Sequence, residues 1–278
     1  MTSTVGGFSS GAAIAITQLR HTFTTSSGPV IVFDEVNGAI EGGEFVAILG
    51  PSGCGKSTLL RIVAGLLRPS AGSVSIDRLA VTKPSRDIGM VFQEDPLLEW
   101  RTVIQNVLLP AEIKGLKKRD VIERASELLG QVGLGDFLDA RPSQLSGGMK
   151  QRVAICQALA YEPRLLLMDE PFGALDALTR RQMQFDLQDL WTGIRNTVLF
   201  VTHGIDEAVL LADRVLVMSP RPSRIVKEYV IDLPRPRTSG TARSAEYLAI
   251  VKDIEELFET LGVLHDEKSA AAGGARHA

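Results

Sequence analysis

Apolar residues along this chain follow two different periods. Glu44 to Leu49, Leu165-Leu166-Leu167-Met168 and Val198-Leu199-Phe200-Val201 are runs too short for helices and without polar alternation, the pattern of strands buried on both faces. Gly89-Met90-Val91-Phe92 reads as a further strand, and Ser57 to Gly65 as a helix. From about Glu94 to Ser146 strand character disappears. There Val121, Ile122, Ala125, Leu128 and Leu129 recur at helical spacing, with Gly130 and Gly133 as stop signals. Near the end, Tyr247, Ile250, Val251, Ile254, Leu257, Phe258 and Leu261 form one apolar stripe closed by Gly262, which fits packing against the body better than a dimer or regulatory contact. Strands interleaved with helices predict an α/β fold with a helical insertion.

The chemistry gathers where those strands end. Gly50-Pro51-Ser52-Gly53-Cys54-Gly55-Lys56-Ser57 follows a strand and opens a helix, as a phosphate-binding loop requires. Its backbone N–H groups line a nest, Lys56 reaches terminal phosphates, and Ser57 offers a hydroxyl to Mg²⁺. Cys54, among those donors and beside Lys56, is expected to favour the thiolate. Asp169 and Glu170 close the strand at Met168, so one carboxylate could hold the Mg²⁺ and the other activate water. His203 and Gln93 end two further strands, where ligands bind in open α/β sheets, although either could be an ordinary polar strand-end residue. Leu145-Ser146-Gly147-Gly148-Met149 opens a helix and is a second anion holder. One nucleotide cradled by the first loop would not need it, so two copies of the chain are expected to share each nucleotide.

Composition narrows the field. The 278 residues carry a net charge of −3 with a pI near 5.9, and no basic run invites nucleic acid. No stretch approaches the ~18 to 20 apolar residues of a membrane span, and no Lys or Arg precedes Arg20, which argues against a secretory signal. The two cysteines, Cys54 and Cys156, do not look like halves of a bridge, so a reducing cytosol is the expected setting.

From about Ile14 to Val226 the chain resembles the ATP-binding cassette family, with its motifs in the expected order. The resemblance makes Gly50 to Thr58 the Walker A loop, Gln93 the Q-loop, Leu145 to Gln151 the signature, and Asp169 and Glu170 the Walker B aspartate and catalytic glutamate. Ala174-Leu175-Asp176 becomes the D-loop, His203 the switch histidine, and Phe23 an aromatic that stacks on adenine unless it is simply core. It implies a P-loop NTPase core of mixed sheet flanked by helices at 14–93 and 160–230, an inserted α-helical subdomain at 94–159, and an N-terminal antiparallel β region. A helical extension at 231–266 and disordered tails at 1–13 and 267–278 complete the expected organisation. Implied cofactors are ATP and Mg²⁺, with Ser57, Gln93 and Asp169 toward the metal. Implied partners are a second copy packed head to tail, an integral membrane permease at the cytoplasmic face, and an extracytoplasmic solute-binding protein.

Leu97-Leu98-Glu99-Trp100-Arg101-Thr102-Val103 and Leu233-Pro234-Arg235-Pro236-Arg237 look like importers of the nitrate, sulfonate and taurine group. Glu99 stands where those importers usually carry proline. Cys156-Gln157 replaces the common Ala-Arg, and Gly204 an acidic residue. Trp100 either docks the permease or packs inside the helical subdomain. An exporter or lipoprotein-release ATPase fits the same motifs. A DNA-repair cassette would need a long coiled coil or basic surface, and a ribosome-associated factor a second cassette, neither of which is visible.

Overall fold

A computed structural model describes residues 11–93 and 97–264. The chain runs β1 (Ile14–Thr25), β2 (Gly28–Ile40), β3 (Phe45–Leu49), α1 (Lys56–Val63), β4 (Ala71–Ile76), β5 (Leu79–Ala80) and β6 (Ile88–Val91). Three helices follow, α2 (Val103–Ile113), α3 (Lys118–Gln131) and α4 (Gly147–Leu159). Then come β7 (Leu165–Asp169), α5 (Ala177–Ile194), β8 (Thr197–Thr202), α6 (Ile205–Leu211), β9 (Arg214–Met218), β10 (Ile225–Val230) and α7 (Ala245–Thr260).

Two sheets form. An antiparallel sheet has the order β2-β1-β4-β5, and a mixed sheet the order β10-β9-β3-β8-β7-β6, parallel except for β10 against β9. The uninterrupted apolar runs are explained by two cores, one on each face of the mixed sheet. Phe45, Ala47 and Leu49 of β3 enter the core shared with α2 to α7, while Val46 and Ile48 enter the core beneath α1 and the antiparallel sheet. Val198 and Phe200 divide from Leu199 and Val201 in the same way. With side chains alternating between two buried faces, the interior positions of β3, β7 and β8 are all apolar, and the polar residues Thr197, Thr202 and Asp169 stand only at strand ends.

Register then decides where the chemistry lands. Leu49 pairs with Thr202, Asp169 with Val201, and Val91 with Met168. The residues that follow these pairs, Gly50, His203, Glu170 and Gln93, therefore emerge at one carboxyl edge.

Several expectations are corrected. Gly11 to Ala13 belong to the body rather than to a tail: Ala12 is buried, its N–H donates to the Arg164 carbonyl at 3.1 Å, and its carbonyl accepts from Thr197 at 2.7 Å. Residues 1–10 and 265–278, which include the rest of both expected tails, lie outside the described residues. Gly130 does not stop its helix, which continues to Gln131; the chain turns at Gly133, whose φ is 73°. The C-terminal stripe packs on the body through buried Tyr247, Ile254 and Phe258.

Candidate active site

The glycine loop between β3 and α1 is shaped by what surrounds it. Gly55 has φ 113°, and a Cβ there would stand 2.4 Å from Val32 and 2.7 Å from Phe33, so β2 leaves room only for hydrogen. Gly55 caps α1 without a side-chain hydrogen bond, so no N-cap side chain competes for the first-turn N–H groups of the helix. That helix start opens onto a cavity of about 220 Å³ lined by Gly53, Gly55, Lys56, Ser57 and Thr58 on one side and by Phe23, Val32, Glu170 and Arg221 on the others. An uncapped helix start, its positive end and a lysine make an anion site. Phe23, 40% exposed and edge-on to His21 at 4.6 Å, offers a flat face for a base.

Lys56 is buried. Its Nζ donates to the carbonyls of Gly50 at 2.9 Å and Pro51 at 3.2 Å and lies 3.5 Å from Glu170 Oε1. Ser57 Oγ donates to Asp169 Oδ1 at 2.7 Å. Burial raises the Asp169 carboxyl above its ordinary value, with the neighbouring Glu170 adding to the rise and the Ser57 bond opposing it. A desolvated carboxylate beside a hydroxyl is a pair of hard oxygen donors that a small divalent cation would satisfy. Glu170 holds φ 45°, uncommon for a residue with a side chain, fixed by its N–H to the Val201 carbonyl at 2.9 Å. Its Oε2 is 3.1 Å from His203 Nδ1. Behind that histidine, Thr202 Oγ1 donates to Glu207 and accepts the Gly204 N–H.

One chain therefore brings together Phe23, the loop, Asp169, Glu170 and His203. It does not bring in the second glycine sequence. Leu145 is buried, and Ser146 caps α4 by accepting the Met149 N–H at 3.3 Å, but none of Leu145 to Met149 lines the cavity. Gly148 must be small because a Cβ would meet Thr179 of α5 at 2.4 Å; at Gly147 a Cβ would meet nothing within 4 Å. Asp176 caps α5, accepting from Leu178 and Thr179, each at 3.1 Å, and hydrogen bonds from Thr179 hold its carboxyl below the ordinary value. Gln93, exposed beyond the edge strand β6, does not line the cavity either.

The thiolate expectation for Cys54 is overturned. The side chain points away from the cavity into the core with Leu59 and Val63, and burial raises the thiol against the opposing pull of Lys56. Cys156, wholly buried, is pushed up to about 12. Pattern reading also missed Val32 and Arg221 as cavity residues, and Ser223, whose hydroxyl donates to the Cys54 carbonyl. The only signal for Arg221 and Ser223 was Ser219-Pro220-Arg221-Pro222-Ser223, which reads as turn punctuation, and Val32 had none beyond its place in a strand.

A hydroxyl–carboxylate pair, a lysine and a carboxylate–histidine pair around a helix-start anion cradle define a P-loop nucleotide hydrolase. The ABC transporter family model matches residues 33–173. The taurine import ATP-binding protein of Rhizobium johnstonii is 48% identical over 246 residues, 87% of this chain and 93% of that one. The nitrate import ATP-binding protein of Synechocystis is 44% identical over 250 residues, 88% and 94% of the two chains. Among solved structures, a dimeric bacterial ABC transporter cassette superposes with TM-score 0.70 at 34% identity, over 80% of this chain and all of that one, and its post-hydrolysis state with ADP and Pi gives 0.69 at 33% identity over the same shares. The chain belongs to the ABC transporter family and is an ATPase of that type.

Proposed function

We propose that this chain is the ATP-hydrolysing subunit of an importer, coupling a head-to-tail dimer to a separate membrane permease that admits a small anionic solute of the nitrate, sulfonate or taurine kind. The observation that carries the dimer is that the cavity gathers the loop and the carboxylate–histidine pair while the Ser146 helix start lies outside its lining. Gly147 adds support, since nothing among the described residues of its own chain needs it small. Each ATP would lie between the loop of one copy and Ser146, Gly147 and Gly148 of the other.

In that arrangement the α1 N–H groups and Lys56 bind phosphate, and Phe23 faces the adenine. Glu170, held by its backbone and by His203, takes a proton from the attacking water. Ser57 and Asp169, with Gln93, would hold Mg²⁺, which offsets charge on the transferred phosphoryl group. Lys56 must leave the loop carbonyls for phosphate, and its contact with Glu170 already ties nucleotide arrival to the base. His203 and Gln93 sense the terminal phosphate, and Asp176 lies at the seam between copies.

No helix among the described residues is long and apolar enough to cross a membrane. The pore then belongs to a permease at whose cytoplasmic face this chain is peripheral, with an extracytoplasmic protein delivering solute. The importer relatives support that reading, and nucleic acid has no part in it. Reconstitution with the permease and binding protein that co-purify with it is the test: ATP-dependent accumulation of nitrate, taurine or an alkanesulfonate inside vesicles is expected. ATP-driven efflux alone would overturn import.

A further inference from the structure

The β9–β10 connection holds none of the residues that the family motifs assign to the nucleotide, yet it is built into the phosphate loop. Ser223 is fully buried. Its N–H donates to the Val32 carbonyl at 2.8 Å, its carbonyl accepts from Asp34 at 3.4 Å, and its hydroxyl donates to the Cys54 carbonyl. Two residues earlier, Arg221 Nε donates to the Gly53 carbonyl. Two loop carbonyls, those of Gly53 and Cys54, thus take donors from outside the loop, so neither can swing toward an anion without losing a hydrogen bond. An anion-binding nest depends on that, because a carbonyl oxygen turned inward repels the charge its N–H neighbours attract.

Arg221 goes further than bracing. Its side chain lines the cavity beside Gly53, with Nη2 3.1 Å from the point a Cβ on Gly53 would occupy. Among the described residues, neither Nη1 nor Nη2 has a hydrogen-bond or carboxylate partner. A guanidinium anchored through Nε with both terminal amino groups unspent, at the wall of an anion cavity, is a fork for phosphate oxygens. Lys56 is the other cation lining the cavity, and it is already shared with Glu170.

We propose that Arg221 is a second cationic contact for the polyphosphate of ATP, and that Ser223 is the positioning residue that holds its loop against Cys54. This rests on the cavity being the ATP site. Steady-state hydrolysis by the full chain, together with binding of a non-hydrolysable ATP analogue and of adenosine, tests it. Arg221→Ala is expected to raise KM and weaken the analogue roughly tenfold, with kcat within about twofold and adenosine binding unchanged. Arg221→Lys, keeping the charge without the Nε anchor, recovers part of the loss, whereas Arg221→Gln recovers little.

Unchanged analogue affinity in Arg221→Ala, or equal loss for analogue and adenosine, overturns the contact, since distortion of the cavity would not distinguish a phosphate-bearing ligand. Ser223→Ala is expected to raise KM by a smaller factor at unchanged kcat. If it lowers only the melting temperature of the nucleotide-free protein, Ser223 is a folding residue and that half of the proposal falls. Failure of the wild-type chain to bind the analogue would remove the ATP reading beneath both.

Discussion

Glu170 occupies a backbone conformation that costs a residue with a side chain roughly 1 to 3 kcal/mol, and three contacts hold it there: the Val201 carbonyl, His203 and Lys56. Such strain is maintained where a side chain must point one way. Glu170→Gln is expected to keep nucleotide binding, lower turnover by the ~10² to 10⁴ of a lost acid–base group, and accumulate an ATP-dependent dimer visible by size-exclusion chromatography. Near-normal hydrolysis would remove Glu170 from the role. The cysteines lead to the opposite kind of prediction. With Cys54 and Cys156 both buried and both thiols raised, a maleimide at neutral pH should leave the ATPase of the folded chain untouched and label both only after denaturation, as mass spectrometry would show. Residues whose work follows from a strand end were legible in sequence, because position along a buried strand is position in space. Cys54 misled because loop sequence does not say which way a side chain turns, and Arg221 was silent because it meets Gly53 across a sequence gap no local pattern spans.

At the scale of elements, the segment before α2 is stiffened without being buried. Trp100 is 71% exposed. Beneath it Asn106, completely buried, accepts from the Leu98 N–H at 2.8 Å and donates to the carbonyls of Leu98, Arg101 and Thr102. Its own carbonyl accepts from Gln157 of α4 at 3.0 Å, and Glu99, in the place usually held by proline, lies 3.6 Å from Lys150 of the same helix. Trp100→Ala should therefore change stability by no more than about 0.5 kcal/mol, as exposed positions do, and leave basal ATPase intact while weakening permease co-purification and uptake. A large fall in melting temperature would return Trp100 to a packing role. Asn106→Ala leaves buried groups without partners and should cost about 1 to 3 kcal/mol in chemical denaturation. The apolar runs told strands from helices here because each face of the mixed sheet is buried. The Asn106 knot was invisible for the reverse reason: a lone asparagine in a helix announces nothing until its neighbours' carbonyls are located.

At the scale of the whole molecule, the loop cavity and the Ser146 helix start do not meet within one chain, and the proposed sharing of ATP between two copies makes them halves of one site. Heterodimers carrying Lys56→Ala and Ser146→Arg on the same chain, paired with wild type, damage both composite sites; divided between the chains, the two changes leave one site whole. The divided arrangement is expected to retain substantial ATPase activity and the combined one to lose most of it. Equal activities would discard the head-to-tail geometry. The Leu233 to Arg237 sequence, legible only as a family marker, proves to be a fastening. Arg237, buried with its pKa lowered to about 10 by desolvation, donates to the carbonyls of Val209, Leu210 and Ala212 at the end of α6 and of Ile231 and Leu233 beyond it. At the other end of α6, Tyr247 Oη lies 3.0 Å from both the carbonyl and the carboxylate of Asp206. The short helix that follows His203 is thus gripped at its two ends by residues encoded after both sheets are finished. A chain stopped after Val230 should show faster amide exchange over Ile205 to Leu211 than the full chain, read by mass spectrometry. Set in the order of synthesis, this makes the fastening late: the loop, the carboxylates and the described strands all precede Arg237 and Tyr247 in the chain, so the helix after His203 is held at both ends only once the start of α7 has been made.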